Sequence, residues 1–278
     1  MTANDPDPDS RPIRTQPDTA LAVLRNAAFG DDPGRWPLPA ATTPEELWLR
    51  AVVAGGQGRY SSAEADLAGV RRLLHGGPLV SLATSTGASF LRQLGRHAEA
   101  RGWDGRAWAL AAGDVEAGVD ALIGLAADAL GIGRFAASAA ALRRADDLLT
   151  DDAPPRLVVR LAWVSAELAM ARGQGPTAVR HAERAVELAA ALHSSRHELK
   201  SNVVLAAALC SAGDIESSRH LADAALQATA RLGIVPLRWA LACLLNDIGS
   251  ALSPGEVVTI RDESADIVRR RGGVWRVA

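Results

Sequence analysis

The chain has 278 residues and a mass of 29.0 kDa; 48% of its residues are hydrophobic and only 4% are aromatic. Alanine and leucine together make up roughly a third of the chain, a composition that favours helices and excludes a β-sandwich or β-barrel. The formal net charge is −2, so the chain lacks the overall positive field that is typical of nucleic-acid-binding proteins. Every basic residue except Lys200 is arginine, a bias that predicts a GC-rich, bacterial genome.

Residues 1–17 are rich in aspartate and proline and predict a disordered acidic leader. They contain no apolar run of the kind found in signal peptides, and no later stretch that is long enough to cross a membrane is free of charges or glycine. We therefore expect a cytoplasmic protein without membrane insertion. Cys210 and Cys243 both fall in apolar helical pattern, where a small buried side chain is a commoner interpretation than a disulfide.

The remaining residues, 18–278, are predicted to form a single helical domain. Residues 18–29 predict one amphipathic helix without a partner, which we expect to cap the first helix pair. Further along, a glycine-centred turn recurs five times at nearly regular spacing, at Gly58, Gly95, Gly133, Gly173 and Gly213. Glycine readily adopts the positive φ that ends one helix before the next begins.

Small residues stand at three fixed distances from these turn glycines. Of the fifteen positions, fourteen are Ala or Ser and one is Val. Two helix axes can approach to about 8 Å only where side chains are small, so the pattern predicts close crossing of antiparallel helices. The positions are Ala51, Ala88, Ala126, Ala166 and Ala206 seven before the glycine, Ala63, Ala100, Ser138, Ala178 and Ser218 five after it, and Val70, Ala107, Ala145, Ala185 and Ala225 twelve after it.

This pattern resembles the tetratricopeptide repeat over residues 44–230, although the period is three to six residues longer and an aromatic follows the turn only at Tyr60 and Phe135. A sixth, less regular pair is predicted, with Ala242 seven before Gly249. A capping box at residues 253–256 would begin its second helix. The resemblance implies an all-α fold: a right-handed α-α superhelix of five to six antiparallel helix pairs with an N-terminal capping helix. The pairs are expected at about 44–77, 78–113, 114–150, 154–193, 195–232 and 236–271.

Motifs for catalysis and cofactor binding are absent from the sequence. There is no phosphate-binding loop, nucleophile elbow or acid–base motif, and Ser85 falls within a predicted helix, so we expect neither an enzyme nor a cofactor. His193 and His197 are four residues apart and form an incomplete metal site, on which the alternative of a metal protein or repeat-built enzyme rests. The commoner interpretation is that both are exposed histidines in a link between pairs.

The first helices of such pairs line a concave face, where large or charged side chains are candidate contacts for a partner. Trp163 and Trp239 occupy equivalent places two units apart, and each could lie in the core or in the groove. In the tail, Trp275 and Arg276 could contact a partner or dock back on the last pair. The candidate partner-binding residues are Arg92, Arg160, Trp163, Glu167, Lys200, Trp239 and Asn246.

The function expected from these features is a non-enzymatic scaffold or adaptor. It would bind a peptide or a protein segment with acidic groups in the concave groove, because Arg and Lys pair with carboxylates. The alternative is a regulatory or sensor module that binds a small effector or signalling peptide and acts on a separate transcription regulator. The short arginine clusters lie near predicted helix ends, where they complement the helix dipole, and we expect no nucleic-acid partner.

Overall fold

The computed structural model describes residues 19–276, so the leader predicted for residues 1–17 lies outside the described part of the chain. Residues 19–276 form thirteen helices and no strands, which confirms the all-α class. Within this range no helix has both the length and the apolarity needed to cross a membrane. The helices are α1 (Ala20–Phe29), α2 (Pro44–Gly56), α3 (Tyr60–Leu73), α4 (Pro78–Gln93), α5 (His97–Leu110), α6 (Val115–Gly131), α7 (Phe135–Leu148), α8 (Arg156–Ala171), α9 (Gly175–Ala190), α10 (Ser195–Ala212), α11 (Ile215–Leu232), α12 (Val235–Ile248) and α13 (Pro254–Arg270).

Side-chain caps begin several of these helices. Asp114 accepts a hydrogen bond from the N–H three residues further on (2.8 Å) at the start of α6, and Asp214 does the same (3.1 Å) at the start of α11. Ser253 and Glu256 form the predicted capping box of α13, with proline in its first turn. These bonds satisfy N–H groups that have no partner within the helix.

The five recurring glycines end helices in the conformation predicted for them. Their φ angles lie between 69° and 89°, and the next helix begins two residues after each glycine. The fifteen positions at fixed distances from these glycines are also buried: fourteen have no exposed surface and Ala225 is 4% exposed. The small residues therefore lie in the packed interior, as the prediction of close helix crossing requires.

Packing follows the order of the chain. Each helix contacts the next, and a second set of contacts joins α2, α4, α6, α8, α10 and α12 in series. These six helices form an inner layer, and α3 and the later odd-numbered helices cover its outside. The arrangement is compatible with a helical repeat array.

The two ends of this array touch. The N–H of Ser61, at the start of α3, donates to the carbonyl of Arg271, and the Arg271 guanidinium donates to the carbonyl of Gln57 (3.0 and 2.8 Å). In the tail, the N–H of Arg276 donates to the carbonyl of Leu94 after α4 (2.9 Å). We call this junction the seam; it joins the last helix pair and the tail to the first two pairs.

Candidate functional site

Helix α1 lies on the concave side of the inner layer. It contacts both α2 and α10, which are distant in the series, so the inner layer must curve around it. The Phe29 ring lies 5.8 Å from the Trp48 ring and 6.3 Å from the His197 ring, and the Arg156 guanidinium carbon is 4.9 Å from its centroid. The helix thus packs on the first pair, as expected of a cap, but it also fills part of the concave side.

Four of the predicted partner-binding residues lie together beside α1, on α8 and α10. The Lys200 ammonium is 3.3 Å from a Glu167 carboxylate oxygen and 5.9 Å from the centroid of the Trp163 ring. Trp163 is half-buried, and its indole N–H donates to the Ser201 hydroxyl (2.8 Å). We call this set the concave patch: Arg160, Trp163, Glu167 and Lys200.

Cationic side chains surround the patch, and all but Arg196 are paired with described carboxylates. Burial lowers the pKa of Arg160 to about 10, which leaves it charged at neutral pH, and it forms an ion pair with Asp120. Arg156 forms an ion pair with Glu116, whereas no described carboxylate forms an ion pair with Arg196. A negatively charged group that approached this side would therefore be attracted.

The other three predicted residues lie elsewhere. Arg92 is nearly buried and forms ion pairs with Asp104 and Asp128. Trp239 is half-buried against Trp275, with ring centroids 4.3 Å apart, so the two predicted tryptophans have different stacking partners. The third residue, Asn246, is exposed and donates only to the neighbouring Asp247 (3.3 Å) among the described residues.

Comparison with protein-family models finds no model that matches this chain, and comparison with curated proteins finds no match. The function must therefore be inferred from geometry and charge.

The two histidines of the alternative metal site have different environments. His193 is exposed in a turn, with φ of 49°, but His197 is buried, and its Nδ1 lies 2.7 Å from the Ser194 hydroxyl. The expectation of two exposed histidines is wrong for His197, because α10 begins at Ser195 and holds the ring against Trp163 (centroids 5.6 Å apart). Within residues 19–276, no group of three or more His, Cys, Asp or Glu side chains could hold a metal ion.

Burial and neighbouring charges also shift the pKa of His197. Burial, together with the positive charges of Arg196, Arg156 and Arg160, lowers its pKa to about 3. The imidazole is therefore neutral at physiological pH and serves as a flat surface on which Trp163 stacks (interplanar angle 19°). It fixes the orientation of the tryptophan in the patch.

A buried polar cluster was missed by the sequence interpretation. Asp104 accepts a hydrogen bond from the Ser85 hydroxyl (2.8 Å), and both Asp104 and Asp128 pair with Arg92 while having no exposed side-chain surface. Burial, with the nearby charge of Asp104, raises the pKa of Asp128 to about 7. The available signal was Asp128, which with Asp120 lies among apolar residues beyond the first turn of α6. Because the carboxylates are inaccessible to a substrate, the cluster fixes packing rather than performing chemistry.

Proposed function

We propose that this protein is a non-enzymatic interaction scaffold or adaptor, which binds a peptide or a segment of a partner protein on its concave side. One observation carries the proposal: α1, which belongs to no helix pair, is seated inside the curve between α2 and α10. The concave side is thus wide enough to hold a helix, here the chain's own α1, and the partner segment that we propose would bind beside α1 at the concave patch.

The chemistry of the concave patch supports a partner segment that carries both an acidic and an apolar side chain. Trp163 offers a half-buried ring, and tryptophan and arginine often dominate interface energies. The Lys200 and Glu167 side chains are 30% and 31% exposed, so Lys200 can exchange Glu167 for a partner carboxylate at little cost. Arg160 adds positive charge behind them.

The wider architecture that we propose is TPR-like: a right-handed superhelix of six antiparallel helix pairs. The turn glycines and the buried small residues in fixed register support it. A cytoplasmic location is part of the proposal and is supported by two unpaired cysteines, Cys210 and Cys243.

A double variant of the patch tests the proposed function. Trp163→Ala with Lys200→Ala removes the ring and the exchangeable cation, while Glu167 stays partly exposed to water. Wild type and variant, immobilised at equal amounts, are incubated with native lysate, and bound proteins are quantified by mass spectrometry. We expect specific partners of the wild type to be depleted at least about tenfold by the variant.

The matched control is Arg184→Ala, because this side chain is 61% exposed on α9 in the outer layer and, within the described part of the chain, pairs only with Glu187. It is expected to retain the partners of the wild type. Circular dichroism establishes that both variants are folded. Equal recovery of partners by wild type and by the folded double variant would rule out the concave patch as the binding site.

A further inference from the structure

A cavity of about 430 Å³ opens at the seam, away from the concave patch. The end of α4, helices α12 and α13, and the C-terminal tail form its walls. Its volume falls in the range of about 300–1,000 Å³ that is usual for sites of small organic ligands. We call it the seam cavity, and the residues that matter for its chemistry are Arg92, Trp239, Arg269, Trp275 and Arg276.

Two tryptophans make one wall of the seam cavity aromatic. The Trp275 ring packs on the Trp239 ring at 4.3 Å between centroids and an angle of 39°. The tail is held in this position by the hydrogen bond from the Arg276 N–H to the Leu94 carbonyl (2.9 Å). A tail that docks back on the last pair therefore builds a surface suited to a planar ring.

The charge of the lining is positive. Among residues 19–276, three arginines and no acidic residue line the cavity. Arg92 is held by Asp104 and Asp128, and Arg269 pairs with Asp266 (2.5 Å) while its side chain remains 60% exposed. Arg276 is exposed and forms no ion pair with a described carboxylate. Two guanidinium groups, those of Arg269 and Arg276, are thus accessible to an anion.

One polar atom in the aromatic wall also lacks a partner. The Trp275 indole N–H is buried and makes no hydrogen bond with any described residue. Because this atom is inaccessible to solvent, a ligand in the cavity does not reach it unless the ring moves, and the unmet donor costs free energy in the docked tail.

We infer that the seam cavity binds a small aromatic anion, with a planar ring against Trp239 and Trp275 and a carboxylate or phosphate paired with Arg276 and Arg269. The ring supplies apolar contact, and the charged group provides selectivity over neutral analogues. The site shares none of the concave patch residues, so its test is independent of the proposed scaffold function.

Matched charged and neutral probes test this inference by isothermal titration calorimetry of the whole chain. Indole-3-acetate is compared with indole-3-acetamide, and adenosine monophosphate with adenosine. We expect the charged member of at least one pair to bind at least about tenfold more tightly than the neutral one. Discrimination within the first pair identifies a carboxylate ligand, and discrimination within the second pair identifies a phosphate ligand.

Two variants assign the effect to the cavity. Arg276→Gln should reduce the preference for the charged probe, since only Arg269 then remains to pair with it, and Trp239→Leu should weaken both members of the pair. Arg231→Gln and Trp103→Leu are the matched controls, since neither residue lines the seam cavity, and both should leave binding unchanged.

Three results would contradict the binding of an aromatic anion in the seam cavity. Absence of saturable binding by all four probes at millimolar concentration, or equal affinity for charged and neutral members of both pairs, contradicts it. So does unchanged discrimination in Arg276→Gln. If Trp239→Leu fails to fold, Arg276→Gln still decides the outcome, because this exposed side chain forms no ion pair with the described residues.

Discussion

Buried charge at single residues makes the stability of this protein depend on pH. Asp104 and Asp128 share one guanidinium, that of Arg92, in a region without exposed side-chain surface. Burial disfavours the charged form of Asp128, and the nearby Asp104 carboxylate, which resists simultaneous ionisation, adds to the effect. The pKa of Asp128 accordingly rises from 3.8 to about 7.

We predict that Asp128→Asn flattens the dependence of stability on pH between about 4 and 7. In this window the folded wild type retains a proton that the unfolded chain has released, so its free energy of unfolding falls as pH rises and levels off above about 7. Asparagine is neutral at every pH, so the variant should not lose stability in this way. At pH 8 we expect its free energy of unfolding to have fallen by about 1–3 kcal/mol less than that of the wild type. Urea unfolding at steps of pH measures the difference.

The lowered pKa of His197 changes the free energy of unfolding with pH in the opposite direction from Asp128, so the two effects can be separated. Its folded pKa of about 3 lies below the unfolded value of 6.5, so only the unfolded chain takes up a proton as pH falls through this window, and acid destabilises the fold. This contribution is common to wild type and Asp128→Asn. The difference between their curves therefore reports Asp128, and parallel curves would contradict the raised pKa.

At the scale of the element, the helix boundaries depend on local chemistry that the sequence displays. Turn glycines, the capping aspartates and the Ser253–Glu256 box act within a few residues of themselves, and each was predictable for that reason. The small residues were predictable because their fixed register repeats. Contacts between distant elements have no such local signal.

We predict that Gly213→Ala destabilises the protein by about 1 kcal/mol. A methyl group at this position would meet no atom within 4 Å, so the cost comes from the φ of 89°, which alanine adopts only with strain. Gly102→Ala is the control: it also meets nothing within 4 Å but lies inside α5, where alanine should stabilise by up to about 1 kcal/mol. Thermal or urea unfolding measures both, and equal effects of the same sign would contradict the explanation.

At the scale of the whole molecule, two features could not be predicted from local pattern: the position of α1 and the seam. Phe29 meets His197, and Arg271 meets Gln57, across most of the length of the chain. The contacts of the candidate sites were also only partly predictable from local sequence pattern. The residues Trp163, Glu167 and Lys200 were found from register, whereas docking of Trp275 on Trp239 was one of two alternatives that the sequence left open.

We predict that Phe29→Ala loosens α1 without unfolding the array. The partly buried ring contacts α2, α8 and α10. Its loss should therefore lower the free energy that holds α1 against these helices by about 1–3 kcal/mol. Hydrogen exchange should then accelerate at least about tenfold in α1, with little change in α7. Leu73→Ala, at a side chain that is 55% exposed on α3, is the control and should leave α1 protected. Unchanged protection of α1 in Phe29→Ala would contradict the role of this ring.

The seam has a consequence for how the molecule comes apart. In an open repeat array, the outermost units have one neighbour each, and they fray before the middle does. Here the hydrogen bonds of Arg271 and Arg276 give the first and last pairs a neighbour on both sides. We therefore expect the end pairs to unfold together with the middle rather than before it, and a gain or loss of one repeat to open the closure.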